Sequence, residues 1–196
     1  MFSESVGVSP TVSTLDSVAN EAIQEVNKAI EAVDFLLERD ELHTAQKRLL
    51  EAFLIGEYLS PVATFELEKK RRIQLYVRSL FELYDAMQAR NYTQAQELVS
   101  QLKETAKDFP SAKAESAITG YTFASDLAIQ GAKAALLEGN EVKVKEEIQT
   151  AAEIWPTNPK LKEFSDLLDK SGAVVVARND FDRLLREQNF REIFKR

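Results

Sequence analysis

The sequence predicts an all-α fold of stacked antiparallel helical hairpins, and three observations carry that prediction. Residues of high helix propensity dominate, with only six Gly and five Pro among 196 residues. Apolar residues recur three or four positions apart in segment after segment, the spacing that lines one face of a helix. One turn pattern also returns every 49 or 50 residues.

Residues 1–12 carry Ser, Gly and Pro with no periodicity and read as a tail or linker, leaving 13–196 as the helical repeat domain. The first helix shows the stripe Val18, Ala22, Val26, Ile30, Val33, Leu37. Leu42, Ala45, Leu49 and Ala52 mark the second. After Pro61 a long segment carries Ile73, Tyr76, Val77, Leu80, Phe81, Tyr84 and Met87, and Tyr92, Ala95, Val99, Leu102, Ala106 and Phe109 follow until Pro110. A proline cannot continue a helix without losing a hydrogen bond. A further helix is expected after Gly120, through Leu127 and Ala135 to Leu137, with a partner holding Val144, Ile148, Ala151, Ala152 and Trp155. Beyond Pro159, helices are expected through Leu161, Phe164 and Leu168, through Phe181, Leu184 and Leu185, and from Phe190 onward, with a break at Ser171-Gly172.

The turns align when the first inward residue of the following helix is the reference. Ala45, Ala95, Val144 and Ile193 are 50, 49 and 49 residues apart, preceded four residues earlier by Glu41, Asn91, Asn140 and Asn189. Asn at a helix start accepts hydrogen bonds from orphan backbone N–H groups. In Asn91-x-x-Gln94 and Asn189-x-x-Glu192 the third helical residue is placed to reach back as in a capping box. Gly139, just before Asn140, suits the end of the preceding helix. About three and a half units result, each an antiparallel hairpin that buries its apolar face only against a neighbour. The last unit stops at Arg196 a few residues into its second helix, so the chain is expected to be part of a longer polypeptide.

This turn and second helix resemble a tetratricopeptide repeat, whose pattern runs from a Gly-or-Asn turn through a small residue, an aliphatic, an Ala and a Pro. Val144, Ile148, Ala151 and Pro156 fill those positions, Ala45, Leu49 and Ala52 fill three of them, and Ala95, Val99 and Leu102 match more loosely. The first-helix aromatic and Leu-Gly pair of the family are largely missing, and the unit exceeds the family's roughly 34 residues. The excess implies longer helices or an extra short one. The resemblance implies a tetratricopeptide-like superhelix with an extended protein-binding surface.

A narrower resemblance rests on Trp155-Pro156-Thr157-Asn158-Pro159, on 179–184 and on 188–194. That succession is similar to the N-terminal helical region of bacterial outer-membrane secretins of type IV pili or type II secretion. It implies an envelope-assembly module in the periplasm or at the outer membrane, and a homo-oligomer formed through the parent protein. Without that resemblance a cytoplasmic location is expected.

Charge and composition exclude several functions. A net charge of −7 opposes binding to a phosphate backbone, so no nucleic-acid partner is expected. With no Cys, disulfides, thiolate metal sites and Cys nucleophiles are absent. His43 is the only histidine, so a multi-histidine metal site is impossible. Beside Asp40 it reads as a surface residue in a turn. No apolar run approaches the roughly 18 residues that suggest a membrane span, so no membrane insertion of this segment is expected. No Gly-rich phosphate loop occurs, and neither metal nor other cofactor is expected.

Glu146-Glu147 and Asp166 with Asp169 supply carboxylates, but acid/base catalysis needs two in a dry cleft with separated pKa values. A helical enzyme with a hidden carboxylate site is therefore the alternative to the favoured reading, a non-enzymatic protein–protein interaction module. The candidate partner-binding surface is Tyr76, Phe81 and Tyr84 with Lys69 and Arg72. The same aromatics at helical spacing suit a core, and the run Lys69-Lys70-Arg71-Arg72 suits pairing of Glu66 with Lys70 and Glu68 with Arg72.

Overall fold

The computed structural model describes residues 10–169, which form helices and no strand. In chain order these are α1 (Pro10–Glu38), α2 (Leu42–Gly56), α3 (Ser60–Ala63), α4 (Leu67–Gln88), α5 (Tyr92–Thr105), α6 (Ala112–Leu137), α7 (Glu141–Ile154) and α8 (159–169). Expectations for Ser171-Gly172, Phe181, Leu184, Leu185, Asn189, Phe190 and Ile193 lie outside the described residues, as does most of the secretin-like succession. The described chain divides into two compact units, one of residues 10–88 and 93–115, the other of 89–92 and 116–169.

Three turns share one backbone solution. Asp40, Arg90 and Gly139 all adopt left-handed φ, at 61°, 55° and 70°, and each stands five residues before its reference position Ala45, Ala95 or Val144. At the first turn Asp40 N–H donates to Leu37 C=O and Glu41 N–H to Leu36 C=O; at the third, Gly139 N–H donates to Leu136 C=O and Asn140 N–H to Ala135 C=O. That pair of bonds is the Schellman ending, which satisfies carbonyls a helix terminus otherwise leaves open. The next helix starts at once, with Ala45 N–H bonded to Glu41 C=O and Val144 N–H to Asn140 C=O. Ala45, Ala95 and Val144 are all buried. Burial is in register along the preceding helices too, at Val26, Tyr76 and Ser125 and again at Val33, Leu83 and Ala132.

In the first unit α1 and α2 form an antiparallel hairpin. Val26 of α1 and Ala52 of α2 share a core cluster with Val62 of α3, while Leu37 and Leu42 are buried at the turn end. α4 packs on α2 in the same unit. The segment after Pro61 is two elements, a single helical turn opened by Pro61 and then α4, separated at Thr64–Glu66. The four-residue α3 stands between α2 and α4, and α1, α4 and α6 have 29, 22 and 26 residues. The described part of α1 includes Pro10, Thr11 and Val12. Val18, expected on the inward stripe, is exposed because it lies on a part of α1 reaching beyond α2.

In the second unit α6 and α7 are antiparallel around Ala128, Ile129, Ala132, Ala135, Val144 and Ala151, with Phe164 of α8 closing the cluster. α6 starts at Ala112 and passes through Gly120 instead of starting after it. A helical Gly costs only about 1 kcal/mol relative to Ala, which a helix of 26 residues sustains. Its inward face combines Ile118 and Ile129 with Ser125, Ala128, Ala132 and Ala135, and Leu127 and Leu137, expected inside, are exposed. The Glu147 side chain lies over Gly131, where an added Cβ would stand 2.9 Å from its carboxyl carbon. Among the described residues, buried side-chain polar atoms all have a hydrogen-bond partner. The Asn158 side chain donates to Ser125 Oγ at 2.9 Å and Asp126 Oδ1 at 3.1 Å, and its Oδ1 accepts the Lys160 N–H at the start of α8.

Candidate interaction surface

The candidate residues Lys69, Arg72, Tyr76, Phe81 and Tyr84 all lie on α4, and helix periodicity sends them to different faces. Lys69 Nζ is 2.8 Å from Asp34 Oδ1 of α1 and 3.4 Å from Glu66. The hydrogen bond to Asp34 is the main reason its ammonium is held above the usual lysine range. Arg72 donates to the Leu37 carbonyl at 2.8 Å and to Asp40 at 2.6 Å. Lys70 donates to the Val62 carbonyl, and Arg71 pairs with Glu68. The pairs expected within the helix, Glu66 with Lys70 and Glu68 with Arg72, give way to these. Guanidinium and ammonium groups that reach the end of the α1–α2 hairpin gain carbonyl and carboxylate partners there. Lys69 and Arg72 thus tie α4 to the α1–α2 hairpin while their side chains stay 38% and 42% exposed.

Tyr76 is 1% exposed and belongs to the core, which corrects its assignment to a binding surface. Its side chain faces α2, where its hydroxyl lies 3.1 Å from His43 Nδ1. Burial raises the Tyr76 phenol far above its ordinary range and depresses the His43 imidazole, aided there by Lys47 and opposed by Asp108. Both are therefore neutral at pH 7 and share an ordinary hydrogen bond. His43 is part-buried at the second position of α2, not a free surface residue in a turn.

The rest of this knot is structural as well. Glu41 precedes α2 but makes no side-chain cap; Asp108, between α5 and α6, accepts the His43 N–H at 3.0 Å and the Thr44 N–H at 2.7 Å. Asp40 joins Arg72 to Lys107, and its carbonyl accepts the Lys107 N–H. Hydrogen bonds from Lys107 and Arg72 hold the Asp40 carboxyl below its usual range. Glu115 is likewise held down by Lys103. Burial tends to raise Asp126, but Lys160 and Asn158 outweigh it. General acid catalysis at neutral pH needs a carboxyl shifted the other way. Among the described residues no group of three or more His, Asp or Glu side chains is arranged to hold a metal ion.

Phe81 and Tyr84 remain outside, 65% and 60% exposed. Phe81 lies in a shallow groove along α4 with Gln74, Val77 and Asp85, bordered by the Arg78–Glu82 ion pair at 2.9 Å. Leu75 of the same helix is exposed too. A second apolar surface, not anticipated from the sequence, occupies α2 and its end: Leu50, Leu54 and Tyr58 are exposed at steps of four. The signal was a second stripe beside Ala45, Leu49 and Ala52, readable as an outer face. In the second unit Tyr92 stacks on Tyr121 with centroids 5.2 Å apart and meets Trp155 edge-on at 6.1 Å. Arg90 donates to the Glu153 carbonyl beside them. Tyr121 and Phe123 are exposed, while Trp155 ends α7 as a packing residue.

Compared with protein-family models, curated proteins and solved structures, the chain matches none.

Proposed function

We propose that this chain is a non-enzymatic protein–protein interaction module built from tetratricopeptide-like helical hairpins, with the outer face of α4 around Phe81 and Tyr84 as a binding surface. The observation that carries the reading is the contrast on α4. Ile73, Tyr76 and Leu83 are buried and Lys69 and Arg72 are paired to the α1–α2 hairpin, while the aromatic side chains of Phe81 and Tyr84 stand exposed on the same helix. A lone exposed apolar residue needs no explanation, but aromatic side chains gathered on one face are a common feature of protein-binding sites. The polar clusters further support a scaffold, because their hydrogen bonds and charges are taken up in closing turns and fastening helices. The recurrence of the left-handed turn at Asp40, Arg90 and Gly139 supports a repeat architecture, in which specificity lies in exposed side chains rather than in a catalytic cleft.

The test is co-purification from the native lysate with wild-type protein and with the Phe81→Ser/Tyr84→Ser variant, after circular dichroism shows equal helicity and melting. A specific protein retained by wild type and depleted by the variant is expected. An identical retained set would refute the assignment of this face.

A further inference from the structure

The amino-terminal part of α1 carries an inference of its own. α1 has 29 residues and α2 only 15, so at 1.5 Å per residue α1 is roughly 20 Å longer than its hairpin partner. Every residue from Thr11 to Glu21 is exposed. Yet the apolar stripe does not stop where cover stops. Val12, Leu15, Ala19 and Ala22 continue, in three–four steps, the line that is buried further on at Val26 and Val33. Val18 and Ile23 widen that line into an arc of more than a third of the helix circumference. Leu15 alone is 65% exposed. Three turns of exposed helix are marginal in water, so such a stripe gains most from a second helix laid along it.

Charge identifies the occupant. At 100° per residue, Asp16 borders one edge of the arc and Glu25 the other, with Glu21 just behind Glu25. No Lys or Arg occurs before Lys28, while the back of the helix holds Ser13, Ser17, Asn20 and Gln24. A second copy in parallel register would bring these acids together, and like charges flanking a helix pair are destabilising. We propose that the exposed arc of α1 docks an amphipathic helix of a partner protein whose apolar stripe is flanked by Lys or Arg. The inference rests on reading the chain as a protein-binding module, but it concerns a face separate from α4.

The experiment titrates the whole chain, by fluorescence polarisation, into two labelled helical peptides about three heptads long. Both carry the same Leu/Ile stripe; one has Lys at the flanking positions and the other Glu. The Lys-flanked peptide should bind at least about tenfold more tightly, and the preference should fade at about 1 M salt, where charges are screened within roughly 3 Å. Leu15→Glu should abolish binding. Because that change also weakens the helix, Asp16→Lys/Glu25→Lys provides the second arm: it keeps the apolar arc and should reverse the preference toward the Glu-flanked peptide. Phe81→Ser should leave both results unchanged.

Equal binding of the two peptides, or binding of neither, would overturn the proposal. So would a dimer in sedimentation equilibrium that Leu15→Glu dissociates, since the arc would then belong to a second copy. Loss of peptide binding in Phe81→Ser would move the peptide to α4 and sink this inference while leaving the proposed function standing. Failure of both peptides alongside a partner that still depends on Phe81 would also remove this inference alone.

Discussion

Removing the Asp108 carboxylate tests the most unusual feature of the fold, a helix start capped from 65 residues away. Asp108→Ala leaves two N–H groups of α2 without partners, those of His43 at 3.0 Å and Thr44 at 2.7 Å from the lost oxygens. Loss of an N-cap costs about 0.5–2 kcal/mol. The carboxylate also faces the positive end of the helix dipole, worth about 0.3–1 kcal/mol. Part-burial of both bonds keeps water from replacing them fully, so the expected loss is about 2–3 kcal/mol. For a chain of this size that corresponds to a fall in Tm of about 4–12 °C. Asp108→Asn keeps one acceptor oxygen and no charge, so it should lose about half as much. Urea unfolding followed by circular dichroism at 222 nm, the usual helix signal, measures both variants. If Asp108→Ala unfolds at the wild-type midpoint, the cap contributes nothing and the reasoning fails.

Four further outcomes follow from the same geometry. Gly120 has open space around it in the middle of α6 and Gly139 has φ +70°, so the same change to Ala should act with opposite sign: Gly120→Ala should stabilise by up to about 1 kcal/mol and Gly139→Ala destabilise by about 1–2 kcal/mol, read as denaturation midpoints. Ala95→Arg places an unpaired charge at a fully buried position and should cost several kcal/mol, so an unchanged thermal midpoint would count against the hairpin packing. The His43 pKa is lowered by burial. The unfolded chain therefore takes up the proton first as pH falls, and the stability due to neutral His43 is complete above about pH 6.5 and lost below it; His43→Gln should flatten that part of a stability–pH profile. Asp40 is held low by Lys107 and Arg72, so its contribution is present above about pH 4 and lost as pH falls further, a loss that Asp40→Asn should remove from the same profile.

What the sequence disclosed is what local periodicity encodes. The phase of Ala45, Ala95 and Val144 was readable because each turn repeats a short pattern, and Asn140 does cap α7 through the Lys143 N–H, as its position implied. Glu41 shows the limit. It occupies the same phase, but the cap of α2 comes from Asp108, which no local pattern can reveal. Lys69 and Arg72 were readable as a paired basic run, but the partners on α1 depend on packing rather than spacing. Tyr76 and Phe81 differ by five positions, about 140° around a helix, so one had to turn from the core once the other faced it. Tyr76 is the one that faces inward, its hydroxyl beside His43 of α2. In α6 the inward face consists of Ser125, Ala128, Ala132 and Ala135 around Ile129, and their small size hid it behind the larger but exposed Leu127 and Leu137.

The central claim, that the chain binds protein through exposed helix faces, is tested most directly by photo-crosslinking in the native cell with a benzophenone amino acid placed at single positions of α4. Positions 81 and 84 should each give the same discrete adduct with another protein, and position 83, whose Leu is buried, should give none. Absence of any adduct from 81 and 84 above that buried control, in protein that folds normally, would contradict the account.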